Sequence, residues 1–234
     1  MQLRGKSAVI YGANSPAGAS VARAFATAGA TVYLAGRSPS RLEPLAREIV
    51  NAGGIVEVAE VDPLDPKSVS EHLHEVGVKH GSVDVSLNMA FLGVVGPARL
   101  CNLSDQQFDA ATFTRLRSNF VTAAAAARTM AYQGRGIVLA TAVPEGGYPE
   151  GELAGQRIGN AAIEALCEQL RGDVGSFGVQ VAYVPDVPTS GEELVQKLFH
   201  LLAMVPRSAL EMVPETDVSP VSPRAAATAA AATG

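Results

Sequence analysis

Short apolar runs alternate with helical patterns along most of this chain. The runs cover residues 7–11, 31–35, 55–61, 83–88, 136–142 and 179–184. Short, largely apolar runs of this kind mark strands buried on both faces, as in a parallel sheet covered by helices. Between them, apolar positions recur at helical spacing over about 16–28, 39–52, 66–79, 104–131, 153–174 and 191–204. Gly29, Gly53 and Gly134 stand at helix exits, where a left-handed residue is commonly needed. Ser38 and Ser104 precede helices as N-caps, and Gln107 completes a capping box with Ser104. Repeated β-α-β units with short connections predict an α/β fold: one doubly wound parallel sheet with helices on both faces, spanning residues 1–213. Residues 209–212 are expected to add one last short strand. Residues 214–234 form a low-complexity tail rich in Pro and then Ala, expected to be disordered.

Composition narrows the classes. Apolar residues make up 47% and charged residues 18%, the balance of a globular protein with a sizeable core. The net charge of -5 comes without a basic stripe, which argues against a nucleic-acid partner. No apolar run reaches the ~18 residues of a membrane span, and the first five residues lack a signal-peptide layout. Cys101 and Cys167 lack metal-type spacing and are expected to be buried thiols in a reducing cytoplasm. His72 and His74 fall on different helix faces, so no metal site is expected.

Candidate chemistry begins after the first strand. Residues 9–20 read as strand, Gly-rich turn and helix start, and a helix N-terminus offers free N–H groups to a pyrophosphate. Gly12 permits the tight turn and Gly18 lets helix and strand approach closely. Tyr11, Gly12 and Gly18 overlay the T-G-x-x-x-G-x-G motif of the short-chain dehydrogenase/reductase family, with Pro16 in the middle glycine's place. Gly36-Arg37, Asp62, Asn88-Met89-Ala90-Phe91, Asn119 and Pro185-Asp186 follow in family order, so residues 3–205 resemble that Rossmann-type family. The resemblance implies a cofactor site formed by Gly12, Asn14, Ser15, Ala17, Gly18, Arg37, Asp62, Pro63, Asn88, Ala90 and Pro185. It also implies Asn119 as a structural and catalytic Asn. Arg37 carries an argument of its own: a guanidinium accommodates a 2′-phosphate, and no Asp or Glu lies between Thr31 and Leu42. NADP(H) is therefore expected over NAD(H). Pro16 removes an N–H near the phosphates, and Phe91 replaces a glycine near the expected nicotinamide ribose.

The family's proton-relay pair is missing. Its Tyr position falls on Gln156, the Lys four residues later on Asn160, and the Ser on Ala142 beside Thr141. Amides do not titrate, so neither Gln156 nor Asn160 serves as a general acid or base. The only lysines are Lys6, Lys67, Lys79 and Lys197, and no tyrosine has a Lys four residues on, so the absence does not depend on alignment. General acid catalysis supplies roughly 10²–10⁴-fold and one oxyanion donor about 10²–10³-fold. Five residues separate Pro185 from the helix starting at Gly191, a shorter substrate loop than the family's usual one.

Replacement candidates are Tyr148 and the carboxylates of Glu145, Glu150, Glu152 and Asp186, each with a solvated-loop alternative. Gln156, Asn160 and Asn119 are candidates to hold a polar small-molecule ligand; alternatively Gln156 and Asn160 satisfy one another on the helix surface. Three classes remain open: a divergent oxidoreductase, a non-redox catalyst of cyclisation, elimination or isomerisation, and a pseudoenzyme acting as partner subunit or sensor. Helices 104–131 and 153–174 overlay the pair through which family members dimerise. A homodimer or homotetramer, or a hetero-oligomer with an active relative, is expected.

Overall fold

Side chains alternate across β1 (Ser7–Tyr11): Ala8 and Ile10 enter one hydrophobic layer, Val9 and Tyr11 the other. The computed structural model describes residues 3–90, 98–143, 154–185, 187–188 and 190–210. In it β1 is followed by β2 (Thr31–Gly36), β3 (Ile55–Glu60), β4 (Val85–Asn88), β5 (Gly136–Thr141) and β6 (Val179–Val184). All pair in parallel, in the order β3-β2-β1-β4-β5-β6. The helices are α1 (Pro16–Thr27), α2 (Glu43–Asn51), α3 (Pro66–His80), α4 (Asp105–Asp109), α5 (Arg115–Gln133), α6 (Ala154–Val174) and α7 (Gly191–Met204).

The doubly wound α/β sheet read from the sequence is therefore present. Phe25 of α1, Leu45 of α2 and Leu198 of α7 build one layer, while Leu73 of α3, Met130 of α5 and Ile163 of α6 build the other. Strand order reverses between β1 and β4, and such a switch opens a crevice at the carboxyl ends of those strands.

Several boundaries differ for local reasons. β4 begins at Val85 rather than 83, because the side chain of Gln133 takes both backbone groups of Val83: its Oε1 accepts from Val83 N at 2.9 Å and its Nε2 donates to Val83 O at 2.9 Å. The stretch 104–131 is not one helix. Ser104 and Gln107 do form the capping box, but α4 gives way to a π-helical turn over Ala110–Thr114 before α5 starts. Ser38 makes no cap bond; a 3₁₀ turn over Pro39–Arg41 precedes α2. β3 is an edge strand with Ile55 64% exposed, so it is not buried on both faces. Arg207–Ala209 form a 3₁₀ turn that overlaps only the first residue of the strand expected over 209–212, and residues 211–234 lie outside the described set. Cys167 is buried as expected, but Cys101 is exposed in the surface turn Leu100–Asn102. Among the described residues no helix is long and apolar enough to cross a membrane, and no group of three metal-ligating side chains forms.

Candidate nucleotide and ligand site

The turn after β1 requires its glycines. Gly12 has a φ of +85°, and a Cβ there would lie 2.4 Å from the backbone oxygen of Met89. Only a residue without a side chain lets this turn lie against the end of β4. A Cβ at Gly18 would lie 2.6 Å from the Gly12 carbonyl, so α1 closes on the turn it caps. Ser15 is the N-cap: its Oγ accepts from Gly18 N at 3.1 Å and donates to Gly12 O at 3.2 Å. Pro16 occupies the first helical position, where an N–H has no helical partner to lose.

Beyond this turn lies a cleft of about 250 Å³. Gly12, Asn14, Ser15, Arg37, Pro63 and Ala90 line it, six of the eleven expected cofactor residues. Ser38 and Arg41 line it too. Ser38, expected as a cap, instead puts its residue in the cleft wall, and Arg41 brings a second exposed guanidinium from the 3₁₀ turn. Arg41 escaped the sequence reading because it sat inside a stretch read as regular helix. No carboxylate stands among the described residues of the lining.

The other expected residues support the cleft rather than line it. Asn88 donates from Nδ2 to Ser118 Oγ at 3.1 Å and Thr122 Oγ1 at 2.9 Å, and its Oδ1 accepts from Ala90 N at 2.9 Å. Its amide thus ties β4 to α5. Asp62 Oδ1 accepts from Leu64 N at 3.0 Å, folding its carboxylate into a local turn while Pro63 reaches the cleft. Ala17 and Gly18 form the first turn of α1, and Pro185 is an exposed residue after β6. Phe91, Tyr148, Glu145, Glu150, Glu152 and Asp186 lie outside the described residues.

Ala142, Gln156 and Asn160 are all buried; Ala142 follows β5 directly, and Asn160 is bonded to Val143 next to it. Thr141 Oγ1 is directed at Asn88 O at 3.5 Å, away from the role of the absent Ser. Asn160 does not pair with Gln156 across the helix surface, as one reading had it. Its Oδ1 accepts from Val143 N at 3.0 Å and from Arg115 Nη1 at 3.1 Å, and its Nδ2 donates to Val143 O at 3.4 Å. Gln156 is buried and engaged in contacts of its own. Asn119 lies one turn along α5 from Arg115; its Nδ2 donates back to Arg115 O at 3.0 Å, and its buried Oδ1 has no partner among the described residues.

Arg115 is the residue the sequence reading missed. It is 2% exposed, and burial pulls its guanidinium down to about 10, with the Tyr183 phenol acting the other way. The approach is made possible by Gly155 and Gly159: Cβ atoms there would lie 2.7 Å from Ala111 Cβ and 2.7 Å from Ala111 O. α6 therefore seats directly on the π-helical turn, next to Arg115. Arg115 directly follows the π turn, which shifts the helical phase that would have marked it as inward-facing.

Comparison with known proteins agrees with this fold. A model of the short chain dehydrogenase family matches residues 6–196. An uncharacterized oxidoreductase of Staphylococcus saprophyticus is 27% identical over 82% of this chain and 83% of its own. Among solved structures, a short-chain dehydrogenase from Rhodopseudomonas palustris superposes with a TM-score of 0.73 at 22% identity, covering 93% of this chain and 100% of that one. A metagenomic short-chain oxidoreductase in complex with NADP gives 0.70 at 22%, covering 94% and 99%. At these identities the structural likeness concerns the fold.

Proposed function

The chain belongs to the short-chain dehydrogenase family, and from that premise we propose that it is an NADP(H)-binding member in which the family's ordinary carbonyl reduction is lost. The observation that carries the first half is the pair Arg37 and Arg41, with Ser38 between them, in a cleft wall without a carboxylate. Two guanidiniums suit a 2′-phosphate, whereas the ribose diol of NAD(H) asks for an acidic acceptor there. The glycine turn suits a pyrophosphate because Gly12 and Gly18 hold the start of α1 close against β1 and β4, leaving the N-terminal end of the helix at the cleft. Gly12, Ser15 and Ala90 would hold the nucleotide body, and Arg37, Ser38 and Arg41 its 2′-phosphate. When bound, NADPH supplies a hydride.

The second half rests on Ala142, Gln156 and Asn160. The first has no side-chain oxygen to hold a carbonyl, and the two amides have no proton to give. Asn160 spends its oxygen on Val143 and Arg115, which makes it a clamp between β5, α5 and α6. A role as non-redox catalyst, partner subunit or sensor accommodates the same residues; proton donation by Tyr148 is the redox alternative.

Assembly follows the helix pair. Phe120, Ala124 and Ala127 of α5 line an apolar groove with Leu166 and Leu170 of α6, and Phe120 is 54% exposed. This favours a homodimer or homotetramer through these helices, with a hetero-oligomer as the variant reading. A cytoplasmic setting and small-molecule ligands remain part of the proposal.

Calorimetric titration tests the nucleotide site. NADPH is expected to bind at least about tenfold tighter than NADH, a difference of ~1.4 kcal/mol. Arg37→Asp should abolish or reverse that preference, and Arg41→Ala should reduce it. Equal affinities in the native protein would sink the assignment.

A further inference from the structure

We propose that the outer edge of β3 is a docking site for an extended segment of another polypeptide, one that alternates basic and apolar residues and joins the sheet as an added strand. β3 ends the strand order and pairs only with β2. In a parallel ladder, alternate residues turn both backbone groups to the same side. Val61 N donates to Gly36 O at 3.1 Å, so the odd-numbered residues of this segment face β2. Val56, Val58 and Glu60 therefore turn their N–H and C=O groups outward. The next outward amide is already used: Asp62 N donates to Ser68 Oγ at 3.2 Å, which limits the open edge to residues 56–60.

The edge is shaped to accept a strand. Exposed edges are commonly blunted by Lys, Pro or a bulge. Ile55–Glu60 contains neither Lys nor Pro, and its register with β2 runs unbroken. Its two faces differ. Val56 and Val58 are partly buried against the layer that holds α2, whereas Glu57 turns to α3, its carboxylate 2.7 Å from Lys79 Nζ. A strand laid beside β3 thus meets an apolar side and a polar side, which alternation in its own sequence would match.

Charge selects the partner. A groove of about 530 Å³ lies between β3 and α3, and its lining carries five carboxylates against two lysines. Lys79 pairs with Glu57 and Lys67 lies 3.8 Å from Glu71, while Glu60 and Glu75 have no ion-pair partner among the described residues. His72 lines the same groove at 6% exposure, and its buried Nδ1 has no partner among the described residues. This balance favours ammonium or guanidinium groups on the α3 side of the added strand. A second copy of β3 is disfavoured, because edge-to-edge pairing would bring the Glu57 and Glu60 carboxylates of the two copies together.

Amide hydrogen exchange reads this edge residue by residue. The probes are three capped synthetic peptides: alternating Lys and Val, alternating Glu and Val, and alternating Lys and Pro, the last keeping the charge but unable to continue a ladder. At low salt the Lys–Val peptide is expected to slow exchange of the Val56, Val58 and Glu60 amides about tenfold or more. Glu57 and Ala59, already bonded to β2, should be unchanged, and the other two peptides should slow none of the five. Glu60→Lys with Glu75→Lys should weaken Lys–Val binding about tenfold. Val58→Pro removes an outward N–H without costing a bond to β2, and should abolish the slowing at Val56 and Glu60; the charge reversal carries the test if this variant does not fold. No slowing at the outward amides, or equal slowing by either control peptide, would overturn the proposal. Outward amides already protected in the free protein, as pairing between two copies would make them, would overturn it too.

Discussion

The guanidinium of Arg115 donates to the amide oxygen of Asn160 across 3.1 Å, and this one bond joins α5 to α6 at the position where the family resemblance implies a Lys. It sets a condition on any attempt to restore that Lys. Asn160→Lys alone would place two cations within about 4 Å of each other, where their repulsion at an effective dielectric near 20 is of order 4 kcal/mol. The single variant should be clearly less stable than the native protein in urea. The reciprocal change Arg115→Asn with Asn160→Lys removes the repulsion and should recover much of the loss. A double-mutant cycle measures the coupling, and additive effects of the two substitutions would refute the contact.

Much of the fold was legible because its signals are local. Six strands, the glycine exits at Gly29, Gly53 and Gly134, and the Ser104–Gln107 box follow from side-chain chemistry within a few residues. The glycine turn was legible for the same reason. What escaped depends on contacts distant in sequence. Gln133 shortens β4 from 50 residues away, and Arg115 reaches Asn160 across 45. Asp62 Oδ1 accepts from Leu64 N, and the Asn88 amide bonds Ala90, Ser118 and Thr122, contacts that the family motif alone does not reveal. A family motif marks where such residues sit, but not which way each one turns.

His72 should make stability depend on pH. The ring is buried against Tyr33, with centroids 6.4 Å apart, and its Nδ1 has no partner among the described residues. Burial lowers its proton affinity below the ordinary 6.5, partly offset by Glu75 and Glu57 and reinforced by Lys79. The folded state therefore holds the neutral ring. As pH falls below 6.5 the unfolded chain takes up the proton more readily, so stability present above that value is lost. The urea midpoint should drop between pH 7 and pH 5, and His72→Leu should flatten that part of the profile. Identical slopes in both proteins would contradict this account.

The exposed face of α5 and α6 should be covered in solution. Phe120 of α5 and Ile158 of α6 are 54% and 40% exposed, and Phe113 of the π-helical turn before α5 is 58% exposed. Light scattering at tens of micromolar is expected to report a dimer or tetramer. Phe120→Glu should lower the mass without unfolding the chain, because this side chain is 54% exposed. A native protein that runs as a monomer would rule the interface out.

The sharpest expectation concerns catalysis. With Ala142, Gln156 and Asn160 at the three positions, the native protein should bind NADPH yet fail to reduce a broad panel of carbonyls. Restoring Ser, Tyr and Lys by Ala142→Ser, Gln156→Tyr and Asn160→Lys is not sufficient, since the new Lys would meet Arg115. The restoring set must include Arg115→Asn, which returns a neutral donor to α5 while the charge returns to α6. Only this fourfold variant is expected to fold well and to show detectable turnover. Each single change should do little, because the groups act as a unit. Comparing the threefold and fourfold variants isolates the charge conflict from the chemistry: both carry the proton relay, and only one carries two adjacent cations. Carbonyl reduction by the native protein at about 1 s⁻¹ or faster would overturn the premise. The proton would then come from a residue outside the missing triad, and a large loss of turnover in Tyr148→Phe would identify it.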